Sequence, residues 1–148
     1  MMINAPVEQP QANDYPELTA LWEASVRATH DFLTEEDILF FKPLVLHEFL
    51  KMVTLYCIRD GQRRITGFIG LADQKIEMLF IDPALRGHGI GKRLLTFAIE
   101  QQQANAVDVN EQNTQAVGFY LHSGFTVTGR SEKDGMGKPF PLLHMQLI

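Results

Sequence analysis

Leu18, Leu21, Trp22, Ser25 and Val26 recur at i, i+3, i+4, i+7 and i+8, a stripe that predicts one buried face of a helix. Asp14-Tyr-Pro-Glu17 precedes it as a capping box, with the proline just inside the first turn. Upstream, residues 4–13 are polar and carry two prolines, which predicts a loop after a short strand at the very N-terminus. Thr34-Glu-Glu-Asp37 caps a second helical stretch. Pro43 is expected to break or kink that stretch and leave a second piece through about Met52.

The pattern then changes to strands. Val53–Arg59 and Ile65–Leu71 flank Asp60-Gly61, a hairpin signal, and Asp73-Gln74 turns into Lys75–Ile81. Helical patterns follow at about 89–103 and 113–123, each separating strands, with Gly124 as the C-cap of the second. Two last strands, Phe125–Glu132 and Leu142–Gln146, bracket the glycine-rich loop Asp134-Gly-Met-Gly137. Helices between strands require part of the sheet to be parallel, so the class is α/β with a mixed α+β sheet. No repeat, low-complexity tract or linker divides the chain, which predicts a single domain over residues 1–148.

Composition narrows the function classes. The 45% apolar and 21% charged content is that of a soluble globular domain. No apolar run reaches the roughly 18 residues of a membrane span, so no membrane partner is expected. The first ten residues lack the basic region and apolar core of a signal peptide. The single cysteine, Cys57, excludes an internal disulfide and suits a reducing cytoplasm. In a strand-like run it reads as a small buried hydrophobe rather than a nucleophile. Net charge is −5 and no basic cluster is present, so no nucleic acid is expected. The acidity favours a cationic substrate through steering.

The chemistry concentrates in Ile76–Ala98, which reads as apolar strand, turn, Arg-led glycine loop and amphipathic helix. The first N–H groups of a helix have no intrahelical partner and the dipole is positive there, so such a loop is an anion site. Arg86 adds a forked cation suited to phosphate oxygens. Three diphosphate loops compete. A P-loop fails, because Arg86 stands where its first Gly belongs and Arg93 replaces its hydroxyl residue. A dinucleotide fingerprint fits Gly87 and Gly89, with Asp108 near the spacing of its acidic residue, but Lys92 replaces the third Gly. Arg-x-x-Gly-x-Gly is matched in full by Arg86, Gly89 and Gly91.

That last motif, between strand and helix, resembles the acetyl-CoA signature of the GCN5-related N-acetyltransferases (GNAT family). Asn110-Glu-Gln-Asn113 through Tyr120 to Gly124-Phe125 looks like the family's fifth strand and fourth helix. Ala28-Thr-His30-Asp31-Phe-Leu33, Thr128–Glu132 and Gly137–Leu143 resemble a small bacterial stand-alone group, the YjaB-like acetyltransferases. The resemblance implies a GNAT-type acyl-CoA N-acyltransferase fold with a central sheet of about six to seven strands flanked by helices. It implies acetyl-CoA as co-substrate and a primary amine, small-molecule or peptide, as acceptor. Arg86, Gly87, His88, Gly89, Ile90, Gly91 and Lys92 would wrap the CoA diphosphate. The end of Leu79-Phe80-Ile81 would splay from its neighbour, bind the pantetheine arm and offer an N–H to the thioester oxygen.

Acyl transfer to an amine requires both deprotonation of the amine and protonation of the leaving thiolate. Tyr120 is the candidate acid. Tyr120 and Asn113 lie two turns apart on one helical face, with Ala116 leaving room between them. Asn113 would bind a pantetheine amide. Glu77, the single charge between Ile76 and Ile81, is the candidate base and acceptor-side carboxylate, and an exposed strand residue beside Lys75 is its plain alternative. His30 and Asp31 follow the first helix, where the family builds its acceptor site. His30 could serve as base instead, or sit as a loop histidine capped by Asp31. His88 is expected near the ligand without a catalytic role, and His47, His122 and His144 show no partner pattern. No spacing suggests a metal or a nucleophilic Ser or Cys, so direct attack is expected. The rivals are a non-catalytic CoA-binding module on the same fold and a dinucleotide-binding domain. The acceptor and the oligomeric state stay open, although an edge strand near the C-terminus could pair two copies as a homodimer.

Overall fold

Hairpins build the first half of the sheet. The computed structural model describes residues 5–147. It contains strands β1 (Val7–Glu8), β2 (Thr54–Arg59), β3 (Ile65–Ala72), β4 (Lys75–Ile81), β5 (Ala106–Asn110), β6 (Phe125–Ser131) and β7 (Leu142–Leu147). The helices are α1 (Tyr15–Thr29), α2 (Glu35–His47), α3 (Ile90–Gln102) and α4 (Thr114–His122). All seven strands form one sheet in the order β1-β2-β3-β4-β5-β7-β6. Every pairing is antiparallel except β4–β5, which α3 connects. A crossover of this kind requires parallel neighbours, so the predicted mixed sheet is present. The strand expected at the extreme N-terminus lies outside the described residues, and β1 falls inside the stretch expected to be loop.

Two apolar layers clamp the sheet. Leu18, Trp22 and Val26 of α1 and Val45 of α2 pack with Leu55, Cys57, Phe68 and Met78 on one face. Leu94, Leu95 and Ala98 of α3 pack with Ile58, Ile69, Ile76, Val107 and Met145 on the other. Covered on both sides, β3 is apolar almost throughout rather than alternating. Gly67 lets α3 come close, because a Cβ there would stand 2.7 Å from Ile90 Cγ2 and 2.8 Å from Ile81 Cδ1.

Several local expectations are corrected. Asp14 makes no capping bond to α1. Its carboxylate accepts from Gln11 N–H in the preceding turn and from Arg59, while Glu17 accepts from the Ile65 N–H. Thr34 and Asp37 do form their reciprocal box. Pro43 sits within α2 without ending it, and the helix stops at His47 before a single 3-10 turn at Phe49–Met52. The carbonyl a proline orphans is four residues back, at Leu39, which is exposed so that water can satisfy it. At the β2–β3 hairpin the left-handed residue is Arg63, not Gly61. Asp60 accepts from the N–H groups of Gln62 and Arg64, which makes the loop longer than two residues.

One irregularity opens the sheet between β4 and β5. The β3–β4 register steps from Gly70↔Met78 to Leu71↔Ile76, so Glu77 is the extra residue of a bulge. A bulge bends its strand and sharpens the twist. Pairing of β4 with β5 stops after Lys75↔Ala106 and Ile76↔Val107. Beyond that point β4 stays on β3 and β5 stays on β7, and the two strands part.

Candidate active site

Three elements converge on the gap between β4 and β5. The first is the loop into α3. Asp82 caps the turn Pro83–Leu85 by accepting from Ala84 N–H, and Arg86 follows in extended backbone. Gly87 and Gly89 both have φ of +81°, a conformation other residues seldom adopt. Gly89 is the N-cap of α3 and offers no side chain, and the first turn holds no acidic residue. The first N–H groups of α3 are therefore left for an external acceptor. Arg86 is exposed and donates to Gln115 Oε1 at 3.1 Å, which ties the loop to α4.

The second element is the start of α4. Asn113 is its N-cap rather than its first turn, and its Oδ1 accepts from Ala116 N–H. That bond aims the remaining Nδ2 donor at His30 Nε2, 3.5 Å away. Thr29 Oγ donates to the Ser25 carbonyl, so it accepts from His30 Nδ1 at 2.7 Å. His30 thus carries its proton on Nδ1 and turns the Nε2 lone pair toward Asn113. Burial, reinforced by the Arg86 guanidinium and opposed by Asp31, pushes this imidazole down to about 4. It is neutral at physiological pH and a poor proton acceptor, which weakens the expectation that His30 is the base.

The depressed value has a consequence for stability. An unfolded histidine titrates near ~6.5, so between that pH and about 4 the unfolded chain binds a proton that the native one does not. Its contribution is complete above ~6.5 and is lost as pH falls toward 4. Denaturant titrations should show a decline of about 1–3 kcal/mol across this window, removed in His30→Gln. An unchanged slope in the variant would disprove the assignment.

The third element is Tyr120. Only 6% exposed, its ring meets Phe119 and Phe125 edge-on, with centroids 5.2 and 5.5 Å away. Among the described residues none hydrogen-bonds its hydroxyl, and burial pushes the phenol above its ordinary range, so it keeps its proton.

These elements border one cavity of about 610 Å³. Leu79, Phe80 and Ile81 form one wall, and Arg86, Gly87, Gly89, Ile90, Gly91 and Lys92 form one end. Asn113, Ala116 and Tyr120 face them from α4, and His30 and Glu77 stand toward α1. The structure brings together all the candidates from the sequence except two. Asp31 and His88 are exposed and do not line the cavity.

The sequence reading missed a polar chain beside it. Lys75 Nζ lies 2.5 Å from Asp108 Oδ2 and 3.6 Å from Glu77 Oε1. Asp108 Oδ1 lies 2.7 Å from His144 Nδ1, and His144 Nε2 is 2.7 Å from Ser131 Oγ. His144, read as partnerless, is therefore bonded at both nitrogens. Asp108, the residue that suited a dinucleotide ribose, is engaged by Lys75 and His144. Nothing in the spacing of residues 75, 108, 131 and 144 reveals this, because it depends on the β5–β7–β6 register.

Comparison with known proteins agrees with this geometry. The family model for the acetyltransferase (GNAT) domain matches residues 35–147. The chain is 44% identical to peptidyl-lysine N-acetyltransferase YjaB of Salmonella typhimurium, over 98% of both chains. The solution structure of apo-form YjaB from Escherichia coli superposes with a TM-score of 0.88 at 41% identity, covering 97% of each chain. PaiA N-acetyltransferase from Thermoplasma acidophilum, solved in complex with coenzyme A, shares the fold with a TM-score of 0.73 at 19% identity, over 98% of this chain and 99% of that one. Among the described residues no helix is long and apolar enough to cross a membrane. A glycine loop opening onto an uncapped helix, a parted strand pair and a near-full-length match together establish that this chain belongs to the GNAT family of N-acetyltransferases.

Proposed function

We propose that the protein transfers the acetyl group of acetyl-CoA to the ε-amino group of a peptidyl lysine, by direct attack in a ternary complex in the cytoplasm. The observation that carries the reading is the opening of β4 from β5, which shares one cavity with Tyr120 and the uncapped start of α3. The name of the 44%-identical relative supports lysine as acceptor.

Each wall of the cavity then has a task. Arg86 and the backbone through Lys92 hold the CoA diphosphate. The edge of Leu79–Ile81, released from β5, takes the pantetheine arm as a surrogate strand, and Asn113 Nδ2 binds one of its amides. A β4 N–H near Leu79 or Phe80 meets the thioester oxygen, where such a donor contributes about 3 kcal/mol in the transition state. A lysine amine, protonated below ~10, must lose a proton before it attacks. Glu77, projected by the bulge at the cavity wall and paired only loosely with Lys75, accepts that proton. Tyr120 donates to the departing sulfur. His30 serves as a neutral contact on the acceptor side.

Free-thiol release measured with a lysyl peptide blocked at its N-terminus tests this. Acetyl-CoA turnover should depend on the lysine, with the modification on its side chain by mass spectrometry. Turnover with small polyamines but none with any lysyl peptide would overturn the acceptor assignment.

A further inference from the structure

The geometry points to Asp108 as the residue that receives the acceptor's ammonium group, held in place by His144 and Ser131, with Lys75 as a built-in competitor for it. This rests on the acetyl-transfer reading above and adds to it the group that selects a cationic amine.

The polar chain runs across three neighbouring strands, Asp108 on β5, His144 on β7 and Ser131 on β6. An ionised carboxylate can only accept, so His144 donates from Nδ1, and in the neutral imidazole Nε2 then accepts from the Ser131 hydroxyl. This bond order is that of a nucleophilic serine triad, but its cavity end is Asp108, which lines the space where β4 and β5 part. Ser131 and His144 do not line it. The working group is therefore the carboxylate, and the other two fix its rotamer.

Its second oxygen already carries an ammonium. Lys75 Nζ bonds Oδ2 and lies within ion-pair reach of Glu77, the other carboxylate of the cavity wall. The structure thus displays, with a lysine of its own, the contact that an incoming lysine would make. Asp108 is suited to anchoring rather than to proton abstraction. Burial opposes its charge, but the bonds from Lys75 and His144 outweigh it and hold the carboxyl below the usual carboxylate range. It stays ionised and binds the cation, while Glu77 takes the proton.

Steady-state kinetics of the whole protein with the blocked lysyl peptide gives a test whose signs a structural role would not produce. Asp108→Asn should raise the peptide KM about 10–100-fold, far more than it changes kcat. Acetyl-CoA affinity by calorimetry should be unchanged, and Asp108→Glu should restore much of the KM. Lys75→Met should lower the peptide KM several-fold, because the internal ammonium no longer competes. A KM within twofold of wild type in Asp108→Asn, or a raised KM in Lys75→Met, overturns the inference and leaves the acetyl-transfer reading intact. Absence of any lysyl-peptide turnover by the wild-type protein sinks the inference together with the lysine acceptor on which it rests.

Discussion

Tyr120→Phe should lower kcat by about 10²–10³-fold while acetyl-CoA binds with nearly unchanged affinity. The substitution removes one oxygen from a ring that is already packed. Phe119 and Phe125 hold the ring edge-on, and those contacts survive in phenylalanine. The hydroxyl has no protein partner among the described residues, so its loss orphans nothing and the fold should keep its stability. What disappears is the proton that Tyr120 is proposed to offer to the sulfur as the thioester breaks. That interaction strengthens only as charge develops, so the effect falls on kcat and not on donor binding. Rapid-quench turnover beside calorimetry separates the two. A variant that turns over at the wild-type rate would remove Tyr120 from the chemistry.

The parts of this site that were legible in the sequence are those with local causes. A glycine loop needs left-handed backbone at Gly87 and Gly89, and a helix needs its stripe, so Arg86 to Lys92 and α1 can be read residue by residue. Asn113 and Tyr120 are close in sequence, and their convergence needs only the short helix α4. The failures are tertiary. Asp14 looks like a cap, but Arg59, 45 residues away, claims its carboxylate together with the preceding turn. Of the break or kink expected at Pro43, the break does not occur, because an exposed orphan carbonyl is tolerable. Asp108, His144 and Ser131 come together only after β7 inserts between β5 and β6, an order the chain does not follow in sequence. The bulge at Glu77 is of the same kind, since it is defined by the partner strand. The half proposed for the acceptor is assembled mainly from such long-range pairings. The half proposed for the donor draws mainly on the contiguous run Leu79–Lys92, which is why it was the easier half to read.

That donor half makes the other large prediction. Gly91→Asp should weaken acetyl-CoA binding by about 10²–10³-fold while leaving thermal stability equal or slightly raised. Gly91 is in the first turn of α3 with ordinary helical backbone, so a side chain is conformationally allowed. A Cβ there would meet Ile81 at 3.6 Å and Phe119 at 3.8 Å, ordinary contact distances without a clash. An acidic residue in a first turn that has none interacts favourably with the helix dipole, and replacing a helical glycine adds to that stabilisation. For the ligand the same change is harmful twice over. A carboxylate fills part of the cavity wall that Gly91 leaves open, and it places a negative charge where the diphosphate is proposed to sit. Gly91→Ala separates these effects, since it adds the Cβ without the charge and should weaken binding far less. Most mutations that abolish binding also destabilise, so a loss of affinity at unchanged or higher Tm identifies repulsion at the anion site as the cause. If Gly91→Asp bound acetyl-CoA as wild type does, the start of α3 would not be the diphosphate site, and the donor would have to enter the cavity from another side.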